Sequence, residues 1–213
     1  MRFQLMRSDA RIARKSFQKS NHLSLKTTEI KQNHHTRYVA LLRGINVGGN
    51  KTVKMEELKK ALELLGYKNV TTILNSGNVL FETVKTPDKT LVASIEKQLK
   101  TIFGFEIGVM VRSEGEIKDL AKKNPFKGVQ VTSDTRLYVT FLSQKPTSTL
   151  RVPYESPEKD FKILSTSSGD VCSVLTISAR RNSTDAMKIL EKEFGKKITT
   201  RNWNTVERIL KKW

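Results

Sequence analysis

The sequence predicts an α+β protein of two ferredoxin-like (βαββαβ) subdomains, the second with its first helix eroded. Three observations carry this. Short apolar runs alternate with amphipathic stretches in the order strand, helix, strand, strand, helix, strand. The order returns after Asn124-Pro125, with Pro146, Pro153 and Pro157 where the repeat's first helix would stand. Glycine and Ser-Gly corners punctuate both halves. The chain thus divides into a basic, disordered extension at 1–37, a first subdomain with a connecting helix at 38–124, and a second α+β subdomain with a C-terminal helix at 125–213.

Residues 1–37 are rich in Lys, Arg, Ser, Thr, Asn and Gln with few apolar side chains, too few to offset the entropy of ordering them. Tyr38–Arg43 is short, apolar and closed by glycine, as a buried strand is. Lys54–Leu65 places Met55, Leu58, Ala61, Leu62 and Leu65 on one helical face, and Gly66 stops it. Val70–Leu74 and Val79–Thr83 read as strands around a tight turn, Asn75-Ser76-Gly77-Asn78. Thr86 as cap and Pro87 in the first turn open a helix with the stripe Leu91, Ile95, Leu99 and Ile102, closed by Gly104. Ile107, Val109 and Val111 alternate as a strand. Ser113-x-x-Glu116 forms a capping box for a short connecting helix.

In the second half Leu137, Val139 and Phe141 alternate. Phe161 and Ile163, then Val171–Ile177, flank a Ser167-Ser168-Gly169-Asp170 turn. Thr184–Phe194 is helical through Ala186, Ile189, Leu190 and Phe194, with Gly195 as its stop. Ile198–Arg201 is a short last strand. Asn204-x-x-Glu207 caps a final helix that aligns Val206, Ile209, Leu210 and Trp213. The echo between halves is one of element order rather than of residues.

The formal charge is +18. Residues 1–37 hold nine Lys/Arg against two Asp/Glu; the rest holds thirty against nineteen, an excess of eleven that attracts polyanions, nucleic acid first. Lys59-Lys60, Lys122-Lys123 and Lys196-Lys197 also read simply as solvated helix surface. A single cysteine, Cys172, excludes an internal disulfide and suggests a reducing compartment. With no secretory core and no long apolar run, the expected location is cytoplasmic, without membrane association. His22, His34 and His35 all fall in the extension, so the folded part is expected to lack histidine chemistry and histidine metal sites.

The candidate site is Arg43, Gly44, Asn46, Gly48, Gly49, Asn50 and Lys51, with Asn75, Ser76 and Asn78, and with Arg201 and Asn202. A glycine turn from strand to helix can present N–H groups to an anion. Gly44 and Gly49 have the spacing of a phosphate loop, but Asn50 intervenes before Lys51-Thr52, and Glu56 and Glu57 would repel an anion at the helix start. The loop is therefore either a plain long turn or the wall of some other polar or anionic site. Amides, a hydroxyl and cations of this kind bind phosphate or carboxylate; they do not shuttle protons near neutral pH. Turn and cap chemistry alone also explains Asn75–Asn78 and Arg201–Asn204. The residues imply no cofactor and no metal.

GINVGGN with the following VKMEEL, ILNSGNVLF at Ile73–Phe81, and TTRNWNTV at Thr199–Val206 resemble a widespread, mostly bacterial family, domain of unknown function 1697. The resemblance runs from about Arg37 to Trp213. It implies two similar α+β subdomains in a soluble cytosolic protein, with the extension lying outside the shared region, and it supplies no activity. Where relatives often carry a Ser-Lys-Leu-like segment, this chain reads Arg180-Arg181-Asn182-Ser183-Thr184-Asp185-Ala186-Met187, so a role for that lysine does not carry over. The sequence thus favours a protein that binds nucleic acid or another phosphate-bearing anion. A site for a phosphorylated or otherwise anionic small metabolite, in an enzyme or a sensor, is the alternative, and an interaction module without a pocket is a third.

Overall fold

A computed structural model describes residues 35–48, 51–178 and 183–213. The first sheet is made by β1 (His35–Leu42), β2 (Lys68–Ile73), β3 (Asn78–Val84) and β4 (Val109–Ser113), in the order β2-β3-β1-β4 with every pair antiparallel. Helices α1 (Met55–Glu63) and α2 (Asp88–Phe103) supply its two crossovers. That is the ferredoxin-like arrangement the element order predicts. Helix α3 (Glu114–Lys122) follows β4 directly, opened by the predicted Ser113–Glu116 capping box.

The second sheet repeats the plan with β5 (Thr135–Leu142), β7 (Phe161–Thr166), β8 (Asp170–Thr176) and β9 (Ile198–Asn202). Its order is β6-β7-β8-β5-β9, where β6 is the two-residue strand Tyr154–Glu155. No helix lies between β5 and β7, as the prolines there require. Helix α4 (Ser183–Phe194) is the surviving crossover, and α5 (Trp203–Lys212) follows β9 as α3 follows β4.

Each sheet is buried on both faces, which explains the unbroken apolar run of β1. Tyr38, Ala40 and Leu42 face α1 and α2, meeting Leu58, Leu62, Ile95 and Leu99. Val39 and Leu41 face the other way, into a core shared with Val139 and Phe141 of β5 and with Ile117, Leu120, Val206 and Ile209 of α3 and α5. Tyr138, Leu142, Phe161 and Leu175 pack beneath Ala186 and Leu190 of α4. The shared middle core joins the subdomains. Burial of apolar side chains at about 25 cal/mol per Å² is the main attraction holding them.

Several local expectations shift. Strand β1 begins at His35 because β3 extends to meet it: His35 pairs with Val84, and Arg37 with Glu82, where the side chains also form an ion pair at 3.1 Å. His35 therefore belongs to the folded part. The turn between β2 and β3 is four residues, Leu74–Gly77, because Asn78 already pairs with Ile73. Thr86 does not cap α2; Pro87 holds the cap position and the Thr86 hydroxyl donates to Val84 O. Ile102 is 40% exposed rather than part of the buried stripe. Helix α5 starts two residues early, with Asn202 rather than Asn204 as its N-cap, because β9 runs straight into it.

Two arginine-centred corners as the candidate functional site

Arg201 lies on β9 opposite Val139 and is 7% exposed. Its guanidinium crosses to the first sheet. Nε donates to Asn78 Oδ1, and Nη2 to Leu42 O at 2.7 Å, Ser76 O at 3.1 Å and Gly77 O at 3.4 Å. Nη1 donates to Thr199 Oγ1 at 2.8 Å and Thr200 O at 2.9 Å. Every one of these acceptors is neutral, and Arg201 forms no ion pair among the described residues. Burial lowers its pKa to about 10, so it stays cationic at neutral pH.

Of the predicted residues, Asn78 and Ser76 touch this side chain directly, and Asn46 and Asn75 adjoin them. Asn46, at φ 55°, holds the glycine loop shut: its Oδ1 accepts from Val53 N at 2.8 Å and its Nδ2 donates to Val53 O at 2.9 Å. The same Nδ2 reaches Asn75 O at 2.8 Å and so ties the loop to the β2–β3 turn. Asn78 is fully buried, with Nδ2 donating to Ile73 O and Ser76 Oγ. Gly77 must be glycine: at φ 72°, an added Cβ would lie 2.7 Å from Ile45 Cδ1 and 2.8 Å from Leu42 Cβ. Lys51 Nζ donates to Glu106 O at 2.9 Å and sits over the Phe105 ring. Arg43 pairs with Glu191 of α4 at 2.9 Å. Gly44, Gly48, Asn75, Ser76 and Asn202 are exposed, and the Asn202 side chain makes no cap hydrogen bond. Gly49 and Asn50 lie outside the described residues.

Arg112, outside the predicted site, is the counterpart of Arg201. It lies on β4 opposite Val39, and its Nη2 crosses to the second sheet, donating to Leu142 O at 2.6 Å and Gly169 O at 2.7 Å. Leu142 N donates to Gly169 O at 2.9 Å just as Leu42 N donates to Gly77 O at 2.8 Å. The signal was present in Asn75-Ser76-Gly77-Asn78 and Ser167-Ser168-Gly169-Asp170, two Ser-Gly corners at equivalent places. The duplication therefore reaches individual residues, against the expectation of an echo in element order alone.

The two corners differ in charge. Asp170 stands where the first corner has Asn78, and Glu116 Oε1 lies 3.9 Å from Arg112 Nε. One cleft, of about 200 Å³, opens beside Arg112; another, of about 190 Å³, lies near Arg37, Asn69, Glu82 and Trp213. Among the described residues, neither is lined by the glycine loop or the β2–β3 turn, where Gly44, Gly48, Asn75 and Ser76 are exposed. Among the described residues no group of three His, Cys, Asp or Glu side chains is placed to hold a metal ion, and no helix is long and apolar enough to cross a membrane.

The family model described as "Protein of unknown function (DUF1697)" matches residues 35–171. Among solved structures the chain is similar to a conserved bacterial protein, SP0830, from Streptococcus pneumoniae. The two share 24% identity over 83% of this chain and 98% of that one, with a TM-score of 0.62, a likeness of fold. No curated protein matches.

Proposed function

This chain belongs to the DUF1697 family, and from that premise we propose that it binds phosphate-bearing anions on the open face of the first corner, over the Leu74–Gly77 turn and the glycine loop. The observation that supports this reading is the unpaired charge of Arg201. Its acceptors solvate the guanidinium but carry no net charge to cancel it. Its contacts with the Ser76 and Gly77 carbonyls place it directly beneath the turn, whose Asn75 and Ser76 are exposed. A monoanion held about 7 Å away would gain roughly 2 kcal/mol at an effective dielectric near 20. Lys51 ends the glycine loop, with no ion pair among the described residues, and residues 38–213 carry eleven excess positive charges.

The second corner supplies an internal control. There the equivalent Arg112 shares its cleft with Glu116, 3.9 Å away, and with Asp170, so a simple anion meets carboxylates as well as the guanidinium. An open face suits the backbone of a polymer better than an enclosed small metabolite, which would want a concave site.

The test is binding of a short generic RNA, inorganic polyphosphate and orthophosphate across a salt series. The proposal expects the polymers to bind and log affinity to fall steeply with log salt, as counterion release demands. It expects Lys51→Ala to weaken both polymers. Absence of binding at low salt would overturn it. Tight orthophosphate binding without a polymer preference would favour the small-anion alternative instead.

A further inference from the structure

We propose that the Arg112 cleft is a second binding site, independent of the first corner, and that it takes a small zwitterion of the α-amino acid class. The cleft lies between α3 and the β7–β8 turn, with a volume of about 200 Å³. That is below the usual range for drug-sized ligands, about 300–1,000 Å³, and fits a molecule of only a few heavy atoms. Phe141 also lines it, with the Arg112 guanidinium over the ring at 5.8 Å from the centroid.

Arg112 is held as Arg201 is, yet it is not used up. Its side chain is 12% exposed. Nη1 donates to Val111 O and Nη2 to Leu142 O and Gly169 O. The Nε–H makes no hydrogen bond, because Glu116 Oε1 at 3.9 Å is too far. Lys123 lines the same cleft and forms no ion pair among the described residues. These donors call for a carboxylate.

The same walls also hold Glu116, Asp119 and Asp170. Three carboxylates against two cations repel a simple anion. Asp88 reports the same local field: burial raises its pKa first, Glu116 raises it further, and Arg112 opposes both. The carboxylates are only partly engaged. Asp170 accepts from Ser167 Oγ at 2.8 Å, and Asp119 meets the exposed end of Lys122 at 3.3 Å. A ligand that brings an ammonium beside its carboxylate satisfies both walls, the carboxylate at Arg112 Nε and Lys123 Nζ, the ammonium at Asp119 and Asp170. No bond is made or broken.

The test measures thermal stabilisation of the full chain by leucine, by alanine, by 4-methylpentanoate, which is leucine without the ammonium, and by isopentylamine, which is leucine without the carboxylate. The zwitterion should raise Tm by about 3–6 °C at ~10 times its Kd, and neither analogue should match it. Lys123→Ala and Asp119→Asn, both on the exposed rim of α3, should abolish the shift and leave the unliganded Tm unchanged. No shift with leucine or with alanine, an equal shift with either single-charge analogue, or a shift that survives both variants would overturn the proposal.

Discussion

Arg112 and Arg201 hold the two sheets together by reaching in opposite directions across the same interface. Arg112 leaves the first sheet to bind Leu142 O and Gly169 O of the second; Arg201 leaves the second to bind Leu42 O and Gly77 O of the first. Each takes the carbonyl ending the central strand of the other subdomain and the glycine carbonyl of its hairpin turn. A fork with five donors suits this, whereas an ammonium has no such planar geometry. The equivalence explains the arginine at both places, beside the repeated Leu42/Leu142 and Gly77/Gly169.

Arg201→Met should accordingly destabilise the protein by about 3–5 kcal/mol, since it leaves several buried carbonyl and amide oxygens without donors. Arg201→Lys should lose less, about 1–3 kcal/mol, because the ammonium reaches only part of the set. Urea unfolding of both variants measures this. A loss below about 1 kcal/mol for the methionine variant would mean that the apolar middle core alone joins the subdomains.

Asn78→Asp would give the first corner the residue that the second already has. The new carboxylate lies against Arg201 Nε, and the lost amide had donated to Ile73 O and Ser76 Oγ. Lost hydrogen bonds and gained ion pair offset one another, so stability should change by about 1 kcal/mol or less. Polyphosphate affinity should fall at least ~10-fold, about 1.4 kcal/mol, because the charge that draws the anion is now cancelled. Unchanged affinity in a folded variant would remove Arg201 from the account of anion binding.

Glycines of the candidate site separate by what surrounds them. Gly77→Ala meets Ile45 Cδ1 at 2.7 Å and must also adopt φ 72°. Crowding and left-handed backbone together predict a loss of about 2–5 kcal/mol. Gly44→Ala and Gly48→Ala have φ near these values, 64° and 63°, but nothing within 4 Å of the new Cβ. They should lose only about 1–2 kcal/mol each, the backbone share. Equal losses at all three positions in denaturant unfolding would contradict the close approach at Gly77.

The strands, most helices and the eroded crossover were legible because they depend on local pattern. Unbroken burial of Val39–Leu42, the Ser113–Glu116 box and the Gly104 stop all act within a few residues. Arg201 was legible as a residue of interest but not as a clamp. Its partners Leu42 and Asn78 lie 159 and 123 positions away, and an arginine that grips a ligand looks the same in sequence as one that grips a carbonyl. Arg112 was missed for the same reason, its acceptors being 30 and 57 positions distant. Asn46 and Asn78 stand out in the sequence as candidate ligand contacts, and in the structure their amides are engaged in hydrogen bonds that build the corner. Asn75 and Ser76 remain exposed above the buried Arg201 charge.

Cys172 lies in the middle core, 1% exposed, and its thiol is pushed up to about 12, chiefly by burial and next by Asp170, with Ser165 and Lys123 opposing. The folded pKa is thus raised above the ordinary value of 9.0. The unfolded chain loses this proton first as pH rises, so the contribution to stability is complete below pH 9 and disappears between pH 9 and about 12. The wild type should therefore lose stability faster than Cys172→Ala across that window, once the neutral-pH difference between them is subtracted. At pH 8 a thiol reagent should label the native protein only as fast as the core opens, with denaturant accelerating it sharply. Parallel stability profiles for the two proteins, or prompt labelling without denaturant, would show the thiol to be far less enclosed than the core around Val39, Phe141 and Val206 makes it.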